Sequence, residues 1–326
     1  MGFKGRLSVS LLLAAQARIL VGGQAVIEGV MMRVPGYWAV AVRDPEGKVH
    51  TKREAFTSRV ETSRWLKTPF IRGIIHLFES LKIGMATLNW SADIAFPEEA
   101  GRETSRWATW LSNFMGIALA IGLFFVAPLW LTTRLLSIEQ SALGFNLVSG
   151  GFRIAFFLLY LVLLSLMKDI RRLFEYHGAE HKAVYTFEAG RPLTVEDARP
   201  FPTQHPRCGT SFMFIVMIAA IVTFALIDTL LMAFIGEMSL GIRLLVHLPL
   251  IPLVAGIGYE ALRLTARNQH MRLFRWLAQP GLWLQNITTR PPDDEQMSVA
   301  LQSLETAFGD QLSQYQGQSF VADAIA

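Results

Sequence analysis

The segment His177-Gly178-Ala179-Glu180-His181 combines two imidazoles and a carboxylate within five residues. On a helix, His177 and His181 lie one turn apart on the same face, close enough to hold one metal ion. Glu180 is three positions from His177 and borders that face. Its carboxylate could accept a proton from a water molecule at such a site. The segment therefore predicts metal-assisted chemistry that uses these three side chains.

The spacing H-x-x-E-H is typical of inverted zinc peptidases, in which two histidines bind Zn²⁺ and the glutamate acts as a general base. The same residue types also occur together by chance on solvated helices, so the motif alone does not establish a site. A catalytic zinc site has a third protein ligand and one open position. The rest of the sequence must supply that ligand.

Three residues are candidates for the third ligand. Glu260 lies near the end of an apolar segment, where an unpaired carboxylate is costly, and His205 and Cys208 precede another such segment. We expect Glu260 to bind the metal, with His205 or Cys208 as its replacement or as substrate-binding groups. Arg207 could stabilise developing negative charge. The structural alternatives are an ion pair of Glu260 with Arg263, a loop anchor at His205 and a small buried side chain at Cys208.

A second dense group of glycines and polar residues covers residues 22–33. Glycines at both ends and an apolar middle predict a tight turn followed by a buried strand. Gln24, Glu28 and Arg33 could line a pocket, although packing is the simpler role. The remaining histidines lack chemically similar neighbours, and we interpret them as structural: His50, His76, His247 and His270.

The composition indicates a membrane protein. The 326 residues are 52% hydrophobic and 17% charged, whereas soluble domains are about 25% charged. Crossing about 30 Å of hydrocarbon takes about 20 apolar residues in a helix. Four segments meet this length: residues 111–131, 147–167, 212–235 and 244–262. The sequence therefore predicts a mainly α-helical, polytopic fold with about four transmembrane helices.

Two of these segments carry residues that need a structural explanation. Pro249 and Pro252 are expected to bend the fourth segment, which membrane helices tolerate. Asp228 lies in the third segment and is costly there unless it is paired or close to the lipid head groups.

Basic residues are concentrated on one side of the predicted membrane region. Seven lie between the second and third segments, namely Lys168, Arg171, Arg172, Lys182, Arg191, Arg199 and Arg207. Five more follow the fourth segment, namely Arg263, Arg267, Arg272, Arg275 and Arg290. The positive-inside rule then places both termini and the central loop in the cytoplasm of a cell (inner) membrane protein. The candidate ligands would all lie near that surface.

The predicted organisation has three parts. Residues 1–110 form an N-terminal cytoplasmic region, with a β-hairpin over 37–55 and an amphipathic helix over 63–95 that lies in the membrane interface or packs on a soluble partner. Residues 111–264 form the transmembrane region with its central loop, 168–209. Residues 265–326 form a helical tail, in which a helix starts after Pro291-Pro292.

Residues 1–20 and the single cysteine bear on the cellular compartment. Basic residues precede the apolar stretch 8–15, which is compatible with a secretory signal or with a short helix at the membrane surface. One cysteine excludes an internal disulfide. The chain carries no nucleotide-binding glycine loop, and we expect no nucleic-acid partner.

Several motifs together resemble the YqhQ-like family of uncharacterised bacterial membrane proteins, which are described as predicted metal-dependent enzymes. The resemblance covers residues 21–304. The motifs that carry it are residues 22–33, 177–185, 205–212, 258–260 and 287–291. It implies metal dependence and a membrane location, but no substrate or reaction.

The function expected from the sequence is that of a membrane-embedded, Zn²⁺-dependent hydrolase with its site at the cytoplasmic face. Its substrate would be a membrane-associated peptide or a lipid head group. Two other functions fit the same residues: a scaffold or assembly factor with a structural metal, and a small transporter that uses Asp228 and Glu260. The sequence does not indicate the oligomeric state.

Overall fold

The computed structural model describes residues 21–100, 105–136, 138, 140–206, 208–268 and 271–317 of the chain. The expectations for residues 1–20, for Arg207 and for His270 fall outside these ranges.

A four-stranded antiparallel sheet opens the described part of the chain, with its strands in sequence order. The strands are β1 (Gly22–Val26), β2 (Gly29–Val34), β3 (Tyr37–Arg43) and β4 (Val49–Ala55). The hairpin predicted over 37–55 is confirmed by the pairing of β3 with β4. Residues 22–33 form not one strand but the two strands of a second hairpin, which turns at Ile27 and Glu28.

Nine helices of eight or more residues lie within the described ranges. They are α1 (Ile71–Ala95), α2 (Arg106–Ile121, continued by the π-helical turn Gly122–Val126 and the helix Ala127–Leu135), α3 (Ala142–Ser165), α4 (Lys168–Glu188), α5 (Gly209–Ile235), α6 (Leu240–His247), α7 (Ile251–Arg267), α8 (Arg272–Thr288) and α9 (Asp294–Phe308). Short helical turns cover Arg59–Thr62, Trp65–Lys67, Pro97–Ala100, Val195–Ala198, Gly309–Gln311 and Leu312–Tyr315.

Both faces of the sheet are covered by helices. Side chains alternate between the faces of a strand, so Met32 packs on one side with Phe187 of α4 and Leu304 of α9. Trp38 packs on the other side, in a cluster with Ile83 of α1. Strands β2 and β3 are buried on both faces, which explains why they are apolar at nearly every position.

Helix α1 begins at Ile71, eight residues after the predicted start. Residues before proline disfavour the helical conformation, and Thr68, which precedes Pro69, has an extended backbone. The helix packs on the sheet through Ile83 and exposes other apolar side chains, among them Phe78 and Leu81.

Three helices are long and apolar enough to cross a membrane: residues Trp110–Leu135 within α2, α3 and α5. Helices α6 and α7 meet this criterion only as a pair, and they are bent by 60° where they join. Pro249 lies at this break. Proline lacks the backbone N–H that a continuous helix requires, which explains why the helix is interrupted here. The mainly α-helical fold is thus confirmed with three candidate spans, or four if the bent pair counts as one.

The C-terminal helix predicted after Pro291-Pro292 is α9. Its first turn carries a capping box, in which Asp293 accepts a hydrogen bond from the Gln296 backbone N–H and Gln296 accepts one from that of Asp293. Met297 and Leu304 lie in the core on its buried face. Helix α9 thereby closes the sheet against α4, the helix that carries the histidine motif.

Candidate metal centre

Both histidines of the motif project from α4, with their ring centroids 4.5 Å apart. Nδ1 of His177 lies 2.8 Å from the carbonyl oxygen of Thr288, and Nδ1 of His181 bonds to the carbonyl oxygen of Thr203. A carbonyl only accepts hydrogen bonds, so each Nδ1 carries a proton. In this tautomer, Nε2 of each ring is the nitrogen whose lone pair can accept a hydrogen bond or bind a metal ion.

Cys208 completes a group of three potential ligands. Its Sγ lies 3.1 Å from Nε2 of His177. Among the described residues, the ligand atoms of His177, His181 and Cys208 form a cluster in which all lie within 4.8 Å of one another. Cys208 also caps the amino terminus of α5, where the helix dipole favours a negative charge. The arrangement could hold one metal ion.

Gln285 of α8 holds the segment that carries Cys208. Its side-chain oxygen accepts a hydrogen bond of 2.6 Å from the backbone N–H of His205, and its amide nitrogen donates one of 2.8 Å to the carbonyl of His205. Gln285 is completely buried. The sequence analysis gave no role to Gln285, Thr203 or Thr288, although Thr288 lies in the motif at 287–291, because the burial of a glutamine and the hydrogen bond of a backbone carbonyl leave no signal in a sequence.

Glu180 is buried beside this group, with its Oε2 3.4 Å from Nε2 of His181. Strand β1 approaches it closely at Gly23. A Cβ at Gly23 would lie 2.8 Å from Cγ of Glu180 and would also collide with the carbonyl of Met31. Gly178 has a comparable role, because a Cβ there would collide with the carbonyl of Arg290. Glycines at both positions thus allow β1 and the end of α8 to pack on the motif.

Glu260 does not join the three candidate ligands. Its carboxylate accepts two hydrogen bonds from Arg72 of α1, one of 2.7 Å from Nε and a second from Nη2. This bidentate pair satisfies the carboxylate and forms because α1 packs against α7, across 188 residues of sequence. The expectation of Glu260 as third ligand does not match this geometry, in which Cys208 accompanies the histidines.

His205 lies next to the group but not in it. Its ring centroid is 5.5 Å from that of His181 and 4.6 Å from that of Tyr185. Burial lowers the pKa of His205 to about 4, although Glu180 opposes this effect. Burial, followed by the proximity of His177, also lowers the pKa of His181. Both rings are therefore neutral near pH 7.

The candidate ligands open onto a cavity of about 560 Å³. Ligand pockets commonly measure about 300–1,000 Å³. The cavity lies between the sheet, α1, α4 and the start of α5, and it is lined by His177, Glu180, His181, His205 and Cys208 among others. Gln24 and Arg33 also line it, whereas Glu28 bonds to Arg172. The site thus has room for a substrate next to its ligand atoms.

Comparison with known proteins identifies the family. Residues 68–310 match the family model described as "Protein of unknown function (DUF1385)". The chain is also 31% identical over 298 residues to the uncharacterized protein YqhQ of Bacillus subtilis (strain 168), covering 86% of this chain and 90% of the relative. No solved structure matches the chain. The family match spans most of the chain, and the protein therefore belongs to the DUF1385 family.

Proposed function

We propose that this protein is a membrane-bound, metal-dependent hydrolase in which His177, His181 and Cys208 bind Zn²⁺. One observation carries the proposal: the Nε2 atoms of both histidines and Sγ of Cys208 converge, while both Nδ1 atoms are held by backbone carbonyls. Histidine ligands of metals almost always donate their second ring N–H in this way.

The donor set fits zinc. Two imidazole nitrogens and one thiolate are ligands that Zn²⁺ prefers, and three protein ligands with one open position characterise catalytic rather than structural sites. The three residues line the cavity, so an open position would be accessible to a substrate. When bound, Zn²⁺ would supply Lewis-acid activation of water and of the bond to be cleaved.

Glu180 would be the proton acceptor. Its carboxylate is buried and within 3.4 Å of His181 Nε2, so a water molecule near the ligands would lie within its reach. Proton transfer to a general base requires such proximity. Gly23 leaves the space that the Glu180 side chain occupies. The cavity would hold the substrate while Glu180 takes the proton and later returns it to the leaving group.

The distribution of basic residues supports a cytoplasmic location for the site. Helix α4 starts three residues after the candidate span α3 ends, and Cys208 directly precedes the candidate span α5. The segment between them is rich in lysine and arginine. The positive-inside rule therefore assigns this end of the spans, and the termini, to the cytoplasm. A C-terminal fusion to green fluorescent protein would be fluorescent if this orientation is correct.

Elemental analysis of the protein after mild detergent extraction tests the metal site. We expect about one equivalent of zinc in the wild type and in Glu260→Gln, and loss of most of it in Cys208→Ser and in the double variant His177→Ala, His181→Ala. Glu260→Gln is the matched control, because the sequence suggested Glu260 as the third ligand but its carboxylate pairs with Arg72. Full zinc occupancy in the double variant would refute the proposal.

Hydrolysis of a panel of aryl esters, aryl phosphates and peptides by the zinc-loaded protein tests the reaction. Glu180→Gln removes the base but spares the three ligands. We expect it to retain zinc and to lose hydrolysis of any cleaved substrate by about 10²–10⁴-fold, the usual contribution of a general base. Hydrolysis that is unchanged in Glu180→Gln would rule out Glu180 as the general base, and a zinc-loaded wild type that cleaves no member of the panel would favour a scaffold with a structural metal.

A further inference from the structure

A second polar group lines the same cavity. Arg33 projects from β2 and His76 from α1, and both are lining residues together with the candidate ligands. The guanidinium of Arg33 lies 4.3 Å from the ring centroid of Phe56. Within the described residues, it forms neither a hydrogen bond nor an ion pair. A cation with five hydrogen-bond donors thus faces a binding cavity without an anionic partner.

The acidic residues near Arg33 do not neutralise it directly. Glu79 accepts hydrogen bonds of 2.7 Å from the Ser58 hydroxyl and from the Arg59 backbone N–H, one on each carboxylate oxygen. Glu61 lines the cavity but is exposed to solvent, where its interaction with Arg33 is screened. The charge of Arg33 is therefore available to a ligand.

His76 adds an unsatisfied atom. Its Nδ1 is buried without a hydrogen-bond partner among the described residues, and the nearest carboxylate oxygen, Oε2 of Glu79, is 3.7 Å away. The ring stacks on Tyr259 with centroids 5.5 Å apart, which holds its orientation. Buried polar atoms are normally paired, so this nitrogen indicates that a ligand atom belongs in the cavity beside it.

Much of the remaining cavity wall is apolar. It includes Met31, Phe56, Leu77, Ile83, Phe174 and Phe212. A ligand that satisfies Arg33 and His76 must therefore also present an apolar body to these side chains. Simple inorganic anions would leave the apolar wall uncovered.

We infer that Arg33 and His76 bind the anionic group of an amphiphilic substrate, a phosphate or carboxylate attached to an apolar body. The planar guanidinium matches either group with two parallel hydrogen bonds. The inference rests on the proposed function only in that the scissile bond of this substrate would lie at His177, His181 and Cys208. The amphiphile is either a membrane lipid or a soluble molecule.

Calorimetric titration of the full chain in nanodiscs of neutral lipid tests the inference. The probe is phenylphosphonate, which joins a dianion to an aromatic ring and is not hydrolysed, with inorganic phosphate and benzyl alcohol as partial mimics. We expect phenylphosphonate to bind at least tenfold more tightly than either mimic. Arg33→Gln should weaken it at least tenfold, and Arg33→Lys and His76→Gln less. Arg64→Gln, which removes an exposed charge outside the cavity, is the matched control.

The double variant His177→Ala, His181→Ala separates this inference from the proposed hydrolase. Retained binding of phenylphosphonate in that variant, together with its loss in Arg33→Gln at unchanged melting temperature, supports the anion site even if no metal is found. Binding that is lost in the double variant but unchanged in Arg33→Gln would place the anion at the metal and overturn the inference. Absence of binding to the wild type would also overturn it.

Nanodiscs that contain phosphatidate identify the source of the amphiphile. Weaker phenylphosphonate binding in these nanodiscs than in neutral ones would show competition by the lipid head group and support a membrane lipid. Equal binding in both would support a soluble amphiphile. The same comparison in Arg64→Gln is the control. This variant loses a positive charge outside the cavity, so phosphatidate should affect its phenylphosphonate binding as it affects that of the wild type.

Discussion

Nε2 of His177 lies 3.1 Å from Sγ of Cys208, although 31 residues separate them. Three parts of the chain produce this approach. Helix α4 carries the histidine, the segment before α5 carries the thiol, and α8 binds both of them. The carbonyl of Thr288 at the end of α8 holds the His177 ring, and Gln285 one turn earlier holds the backbone of His205. Helix α8 is therefore the part that aligns the two candidate ligands.

Replacing Gln285 by leucine should weaken metal binding without removing a ligand. The change leaves the backbone N–H of His205 without its partner and removes one of the two hydrogen bonds to its carbonyl, which also accepts one of 3.2 Å from the Cys208 backbone N–H. It thereby loosens the segment that carries Cys208. Loss of such supporting contacts typically costs about 10- to 100-fold in metal affinity. Competition with a zinc chelator would measure the change. Gln302→Leu, on the exposed side of α9, is the control, and equal affinities in the two variants would contradict this role of α8.

The sequence predicts elements whose causes are local. The hairpin around Asp44-Pro45-Glu46-Gly47 follows from turn residues and alternation, and the bend in the last span follows from Pro249. The three-residue group does not follow in the same way. The sequence shows His177 and His181 as a helical motif. That Cys208 rather than Glu260 accompanies them depends on Arg72, which pairs with Glu260 because α1 packs on α7.

Other parts of the site leave no mark on the sequence at all. Backbone carbonyls of Thr203 and Thr288 orient the two histidines, and any residue with the same backbone path would supply them. In the sequence, His76 has no chemically similar neighbour. The fold brings it from α1 to the same cavity as Arg33 of β2. Long-range packing therefore determines both the third candidate ligand and the second polar group.

A methyl group at Gly178 should disrupt the site. In Gly178→Ala, the new Cβ would collide with the carbonyl of Arg290, and α4 would have to move away from the end of α8. Overpacking of this kind costs about 1–3 kcal/mol. We expect a lower melting temperature and reduced zinc content. Gly151→Ala in α3 meets no atom within 4 Å and serves as control; equal melting temperatures in both variants would argue against the close contact.

Stability should fall as the pH drops below about 6.5, partly because of His205. Burial lowers its pKa to about 4, whereas an unfolded chain binds this proton at about pH 6.5. The unfolded state therefore carries more protons between these values, and the free energy of unfolding falls as the pH decreases through them. The contribution of His205 is at most roughly 3–4 kcal/mol.

Melting temperatures of the wild type and of His205→Gln between pH 7.5 and 5 would measure this effect. A chelator must be present throughout, so that protonation of the candidate ligands does not add loss of metal to the signal. We expect a smaller decrease in His205→Gln than in the wild type. His50→Gln is the control, because His50 is only partly buried and pairs with Asp44. Parallel pH profiles for wild type and His205→Gln would contradict the assignment.

Asp228 within the candidate span α5 is completely buried, as are its partners Arg243 and His247 of α6. One carboxylate oxygen bonds to Arg243 and accepts a hydrogen bond of 2.7 Å from Asn146 of α3; the other lies 2.8 Å from Nε2 of His247. This pairing explains how a candidate span can contain a carboxylate, which would be costly in a membrane without a partner. It also joins α6 to α5 at the bent pair of helices.

Asp228→Asn should therefore destabilise the protein strongly, by about 3–5 kcal/mol, because it removes one partner of a buried ion pair, the carboxylate that Arg243 and His247 bind. The double variant Asp228→Asn, Arg243→Met should recover part of this loss, since it replaces the buried charge that paired with Asp228 by an apolar side chain. Asp93→Asn, on an exposed position of α1, controls for the loss of an acidic residue. Melting temperatures in one detergent would compare the four proteins. If the single and double variants were equally unstable, the ion pair would not be the source of the effect, and packing around Asn146 would have to explain it.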